Sequence, residues 1–395
     1  MLFPKVFSER VIMNPFFMEQ KWLQSLVRFR NLADIRAALN GTYEFLASDW
    51  HGCAVVVGAG ALGQQLLCEA GNGGLRILGL YDTDDSLWGK VVGGQTVRPL
   101  DELVTHDCQV PVIAATHRIG KAHDAVAALG FTSVWPFALL VAAGAGRFGT
   151  HPFYTGLWED LLSHRLDYER LYVSFADEQS RRVLDAVIGF RLTFAVSLLR
   201  QVLTGEDYFP RDIMPFHDHE VYVDGGGFVG DTVTKFLEVT GNRCKRVYAF
   251  EPDSINFRIL RQTFRDDYRI LCFDKGLYAY TTERGFSSTG RMDAAYTSES
   301  GTQVGVVSID ETVQEGPVTL IKLNIEGAEH EALEGARQTI QKWRPKLAIA
   351  AYHRPDHLWS LAGLLADMCR GYRFYLRQHD IGIVETVLYA VPEGD

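Results

Sequence analysis

Along this chain, short unbroken apolar runs alternate with stretches whose apolar residues recur at helical spacing. That rhythm reads as strand, helix, strand, and it predicts parallel sheets with right-handed crossovers. A first series begins at Cys53, where Cys-Ala-Val-Val-Val enters Gly58-Ala-Gly-Ala-Leu-Gly63 and a helix follows. Further strands are predicted over 75–81, ending at Asp82, and over 110–115, with a helix over 122–129. Gly144, Gly146 and Gly149 break the pattern and close this unit.

Upstream, Trp22, Leu23, Leu26, Val27 and Arg30 are spaced as one face of a helical leader. Downstream, Val183, Leu184, Val187, Ile188, Leu192, Ala195, Val196 and Leu199 predict helices up to Gly205, and Pro210 and Pro215 mark an extended connection. A second series then supplies strands over 221–224, 246–251, 268–273, 318–325 and 346–352. It ends differently, on two strands, Arg373-Phe-Tyr-Leu-Arg377 and Thr386-Val-Leu-Tyr-Ala-Val391, joined by a short turned loop. The expected organisation is a leader (1–50), a Rossmann-like α/β domain (51–150), a helical connection (151–219) and a doubly wound α/β domain finished by an antiparallel hairpin (220–395).

The 395 residues, 47% hydrophobic and 22% charged, suit a soluble protein of two domains. A net charge of −10 argues against tracking a nucleic-acid backbone. The longest apolar run, 134–146, falls short of the ~20 residues a membrane span needs. Lys5, Glu9, Arg10 and Glu19 interrupt any signal-type apolar segment. The six cysteines form no Cys-x-x-Cys pair and no set with metal-ligand spacing, which reads as reduced, packed thiols in a cytoplasmic protein that carries no metal. Nothing in the sequence indicates an oligomeric state.

Both series carry Gly-x-Gly-x-x-Gly: Gly58, Gly60 and Gly63 in the first, Gly225, Gly227 and Gly230 in the second. The flanking acids separate them. In the first, an all-apolar strand precedes the loop and Asp82 lies 82 − 63 = 19 residues on, the fingerprint of a dinucleotide site with pyrophosphate on the helix N-terminus. In the second, Asp224 stands directly before the glycines, where a carboxylate repels pyrophosphate and suits a cationic amino group such as the methionine end of S-adenosylmethionine. Glu251 closes the next strand, 251 − 230 = 21 residues on, placed to accept hydrogen bonds from ribose hydroxyls. Asp274 follows the third strand, within reach of an adenine amino group. The expected cofactor set is Asp224, Gly225, Gly226, Gly227, Gly230, Asp231, Glu251 and Asp274, with Gly58, Gly60, Gly63 and Asp82 as a possible second nucleotide site.

At these residues the chain resembles the FkbM family of S-adenosylmethionine-dependent methyltransferases. The resemblance runs from about Glu220 to Pro392. It rests on Val223-Asp-Gly-Gly226, Phe250-Glu-Pro252, Ser308-Ile-Asp310, Lys322-Leu-Asn-Ile-Glu-Gly-Ala-Glu329, Arg344-Pro345, Tyr352-His353 and Glu385-Thr-Val-Leu-Tyr389, and extends weakly to Tyr208-Phe209. It departs from the family pattern at Asn324, where Asp is usual, and at Gly227-Phe228. The resemblance implies O-methylation of a hydroxyl on a sugar, polyketide or related metabolite, a small-molecule or glycan acceptor.

Methyl transfer from a sulfonium asks the protein to align the acceptor, exclude water and take one proton. The fourth and fifth strands supply the candidates Lys322, Asn324, Glu326 and His353. Strand alternation places Lys322, Asn324 and Glu326 on one face. His353, with an ordinary pKa near neutrality, is the expected base, Glu326 its orienting partner, and Glu329 a helix N-terminal carboxylate. The small polar stretch between Gly285 and Gly305 is either a lid or a disordered loop. Two rival readings remain: an NAD(P)-dependent oxidoreductase working on the first loop, and a cofactor-binding scaffold without activity.

Overall fold

The structure, a computed structural model, describes residues 21–46, 51–144, 146–205, 208–286, 296–297 and 302–394. These fall into two compact units. The first gathers the described residues up to Leu166 with Leu184–Leu203 and Asp380–Val384; the second holds Asp167–Val183, Thr204–His379 and the residues from Glu385 on. The helices read as a separate connection are thus shared out, and one division falls inside the helix Glu178–Thr193.

The first unit is built on β1 (Gly52–Val57), β2 (Leu75–Asp82), β3 (Val91–Val92), β4 (Gln95–Pro99), β5 (Val112–Ala114) and β6 (Val134–Pro136), in the order β3-β4-β2-β1-β5-β6. All neighbours are parallel except the edge pair β3–β4. Ala54, Val55 and Val56 are fully buried in succession, as expected for a strand covered on both faces. Two elements escape the sequence pattern. β6 runs straight into the helix Phe137–Ala143, so strand and helix merge into one apolar run. β3 and β4 are joined by Gly93 and Gly94, both at positive φ (54° and 80°), the backbone a two-residue hairpin turn requires.

In the second unit, seven strands run β7 (Val221–Gly225), β8 (Arg246–Phe250), β9 (Ile270–Phe273), β14 (Leu320–Leu323), β15 (Lys346–Ala350), β16 (Tyr372–Gln378) and β17 (Thr386–Pro392). Their order in the sheet is β16-β17-β15-β14-β7-β8-β9. The first five are mutually parallel, and β17 and β16 close the sheet antiparallel, as the sequence predicts. After β7 the chain builds outward through β8 and β9, then returns to the other side of β7 for β14. The gap between the C-terminal ends of β7 and β14 is therefore the topological switch point, where open parallel sheets bind ligands. Phe209, Tyr222, Val233, Phe236, Val247 and Leu260 pack beneath this edge.

Between β9 and β14 the chain forms a second, smaller sheet from β10 (Gly276–Leu277), β11 (Thr282–Phe286), β12 (Tyr296–Thr297) and β13 (Thr302–Val307). Most of the stretch read as a lid lies outside the described residues, but its flanks pair as antiparallel β11 and β13. No helix among the described residues is long and apolar enough to cross a membrane.

Candidate functional site

The second unit's glycine turn is held peptide by peptide. Gly226 sits at φ 77°, and a Cβ there would lie 1.9 Å from the Asn324 carbonyl, so no other residue fits. The N–H groups of Gly226 and Gly227 both donate to the Phe250 carbonyl (3.1 and 2.8 Å). The Phe228 N–H donates to Glu251 Oε2 (2.9 Å), and Asp253 N–H to Glu251 Oε1 (2.8 Å). Burial pushes the Glu251 carboxyl up to about 7, against the pull of these two amide donors.

Beneath the turn lies a buried ion pair. Lys322 Nζ, on β14, is 2.9 Å from Asp224 Oδ1, the side chains being 1% and 0% exposed. The same ammonium donates to the carbonyls of Gly225 (3.1 Å) and Gly226 (2.8 Å). Burial raises the Asp224 carboxyl, while Lys322 pulls it back down. This revises the sequence reading: Asp224 meets a cation of the protein itself, and Lys322 reaches the carbonyls of the cofactor turn.

The alternation that put Lys322, Asn324 and Glu326 on one face brings Lys322 and Asn324 to the same ring, Tyr208, but does not extend to Glu326, because β14 stops at Leu323 and the chain turns at Glu326, which takes φ 56°. The Asn324 amide is fixed between two phenols: its Nδ2 donates to Tyr208 (2.8 Å) and its Oδ1 accepts from Tyr352 (3.2 Å). Glu326 keeps a partly exposed side chain, with Oε1 3.7 Å from His353 Nε2.

His353 is fully enclosed, and its Nδ1 lies 2.7 Å from Glu329 Oε1. Glu329 also accepts from the Ile325 N–H (2.8 Å), and its Oε2 lies 3.4 Å from His357 Nδ1. Burial alone lowers the His353 pKa, but the Glu329 and Glu326 carboxylates outweigh it and lift the ring to about 9. Glu329 is held at about 2: burial raises it, and His353 overrides that. An imidazolium at neutral pH has no lone pair to take a proton, so the ring is poorly suited to the base role that the sequence suggested.

The edge of the second unit's sheet thus joins a glycine turn, a strand-end glutamate and a strained acidic turn across one switch point. Over residues 224–380 the chain matches the model of the methyltransferase FkbM domain. The match spans less than half of the chain. Among solved structures it is similar to a methyltransferase FkbM from Methylobacillus flagellatus KT, with a TM-score of 0.68 and 23% identity, covering 93% of this chain and 100% of that one. At that identity the likeness shows the fold. An rRNA methylase from Streptococcus thermophilus overlaps far less: TM-score 0.30, 17% identity, 44% of this chain and 86% of that one. No curated protein matches the chain.

Within the matched region, the turn residues Gly225, Gly226 and Gly227 and the acid Glu251 come together, and Gly230 leads into the helix Asp231–Val239 at φ 95°. Asp231 is exposed in the first turn of that helix. Asp274 stands past β9, largely solvent-exposed and 3.7 Å from Lys275. Sequence reasoning gave Glu329 a helix-end role, noted Tyr208 and Tyr352 only as part of the family resemblance, and missed His357. The one local signal was the spacing of His353 and His357, four apart at the start of the helix His357–Met368.

The first unit's loop is differently equipped. The Gly58 N–H donates to the Tyr81 carbonyl (2.8 Å), and the Ala59 N–H to Asp82 Oδ2 (2.7 Å). Gly60 caps the helix Ala61–Glu69 without any side-chain hydrogen bond. Gly63 lies so close to the loop that a Cβ would fall 2.0 Å from the Gly58 carbonyl. Past β5, His117 is hydrogen-bonded through Nδ1 to Tyr154, and His151 stacks on Tyr154 with ring centres 4.4 Å apart.

Proposed function

We propose that the protein is an S-adenosylmethionine-dependent methyltransferase that methylates a hydroxyl oxygen of a sugar, polyketide or related small-molecule or glycan acceptor. The carrying observation is the fate of the turn's amides. Gly226, Gly227 and Phe228 all spend their N–H groups on the end of β8, leaving Glu251 at the rim as the polar group best placed to receive a ligand's hydroxyls. A turn of that kind suits a nucleoside with free ribose hydroxyls better than a pyrophosphate, which needs amide donors.

When bound, the cofactor supplies a methyl group already activated by its sulfonium. The protein's part is then to orient and to accept a proton. Glu251 accepts from the ribose, and the turn over Lys322 and Asp224 shapes the floor. Glu326, 3.7 Å from the His353 ring and partly open to solvent, is the carboxyl group placed to take the proton of the acceptor hydroxyl. The Asn324 amide, fixed by Tyr208 and Tyr352, adds a hydrogen-bonding group without a further negative charge. Calorimetric titration of the whole protein with S-adenosylhomocysteine tests the cofactor reading, and absence of binding would refute it. Methyl transfer to a panel of hydroxylated glycans and secondary metabolites tests the acceptor class.

The first unit's loop supports a second, separate reading, a nucleotide held on the uncapped helix Ala61–Glu69 with Asp82 on a ribose. Titration with NAD tests it, and heat only on S-adenosylhomocysteine addition would dismiss it.

A further inference from the structure

We propose that Lys322 is the positioning residue of the cofactor turn, setting the direction of two consecutive peptides from beneath. This rests on the methyltransferase reading and names a device for that same site. The ammonium donates to the Gly226 carbonyl (2.8 Å) and the Gly225 carbonyl (3.1 Å), and its charge is matched by Asp224 Oδ1 at 2.9 Å. In a trans peptide the C=O and the following N–H point in opposite directions. The Gly225 carbonyl, which also accepts from the Asn324 N–H (3.1 Å), is drawn toward Lys322, and the Gly226 N–H therefore points outward, where the Phe250 carbonyl receives it (3.1 Å). Drawing the Gly226 carbonyl down likewise presents the Gly227 N–H to the same oxygen (2.8 Å). β14 pulls the two peptide planes from one side and β8 from the other. The next amide, that of Phe228, then falls on Glu251, the residue proposed to meet the ribose.

Asp224 has the complementary task of making a buried ammonium tolerable. Its carboxylate is fully enclosed and holds Lys322 in place, so the acid that sequence spacing assigned to the ligand serves the turn instead. A lysine suits the task because a compact ammonium can serve three converging oxygens, which a planar guanidinium does not.

The test uses the full chain and two variants, with S-adenosylhomocysteine as probe. Removing Lys322 alone would leave Asp224 buried without its cation, so the decisive variant is the double exchange Asp224→Asn with Lys322→Met, which removes both charges. It should melt cooperatively near the wild-type temperature. Its Gly226, Gly227 and Phe228 amides should exchange with deuterium at least about 10-fold faster, and it should bind S-adenosylhomocysteine at least about 10-fold more weakly. Asp224→Asn alone keeps both lysine–carbonyl bonds, so exchange at the three amides should stay within about threefold of wild type. Unchanged exchange and affinity in the double variant would overturn the proposal, as would loss of its cooperative melting. Equal loosening in both variants would do the same, because the ion pair would then set the turn. Failure of the wild-type chain to bind the probe would count against the methyltransferase reading, while the exchange data would still decide the role of Lys322.

Discussion

Two turns in this molecule share the same glycine spacing and are built on opposite foundations. The first, Gly58 to Gly63, rises from Ala54–Val57, four apolar residues with no ionisable group among them, and leads into a helix with no side-chain cap. The second, Gly225 to Gly230, stands on the ion pair of Asp224 and Lys322. Both turns bind leading amides to the end of the neighbouring strand, Gly58 and Ala59 to Tyr81 and Asp82, and Gly226, Gly227 and Phe228 to Phe250 and Glu251. Glycine spacing therefore specifies a tight strand-to-helix turn. What lies under the turn is what separates the two.

The same contrast recurs in one histidine from each unit. His151 lies among His117, Phe153 and Tyr154, and burial with the nearby His117 drives it down to about 3. His353 lies among carboxylates and is raised to about 9. Linkage gives these opposite signs. The His353 contribution is fully present below its unfolded pKa near 6.5 and is lost as pH rises through about 9. The His151 contribution is present above 6.5 and is lost as pH falls toward 3. Removing one partner of a buried pair costs about 3–5 kcal/mol, so His353→Gln should destabilise the second unit by that amount at pH 6. The deficit should shrink as pH approaches 9, read by hydrogen exchange across β14 and β15. His151→Phe should instead flatten the acid limb, as seen in β5. Identical pH responses in the two units would break the comparison.

Next in size are the turns. Gly226→Ala combines a left-handed backbone with a Cβ pressed on the Asn324 carbonyl, and should cost about 2–4 kcal/mol and abolish measurable S-adenosylhomocysteine binding. Gly63→Ala, equally crowded, should destabilise the first unit and leave that affinity unchanged. Loss of affinity in the Gly63 variant would merge what the comparison separates. At the rim, Glu251→Ala should weaken binding by about 1–3 kcal/mol, whereas Asp82→Ala should not. Finally, the carboxyl of Glu251 titrates near 7, and its ionised form is the better acceptor for ribose hydroxyls. Affinity should therefore rise up to about tenfold between pH 6 and pH 8, a trend that Glu251→Gln should erase.

Much of the fold was legible because parallel strands buried on both faces announce themselves as apolar runs. The strands carrying both glycine turns, and the closing hairpin, were placed within a few residues. The edge hairpin at Val91–Val92 was too short to register, and β6 vanished into the helix it feeds. The site was legible in its glycines and in Glu251, whose distance from the turn is set by one crossover. Pairings between distant segments were not. Nothing local ties Lys322 to Asp224, or Glu329 to His353, because both contacts exist only once β14 has settled between β7 and β15. Glu326 misled for a related reason. Alternation assumes an extended chain, and here the chain had already turned.

One feature of the first unit bears on how the protein is made. Its described residues include Asp380–Val384, where the Ile381 carbonyl accepts from the Gly120 N–H (2.8 Å) and a Cβ on Gly382 would lie 2.3 Å from the His117 carbonyl. These five residues leave the ribosome only after six of the seven strands of the other unit's main sheet. The unit encoded first must wait until residue 384 has been made before its last piece arrives, and no single cut of the chain would release either unit whole. Synthesis order and architectural order are interleaved here, so a translational arrest or nonsense truncation before residue 380 would strand both units incomplete.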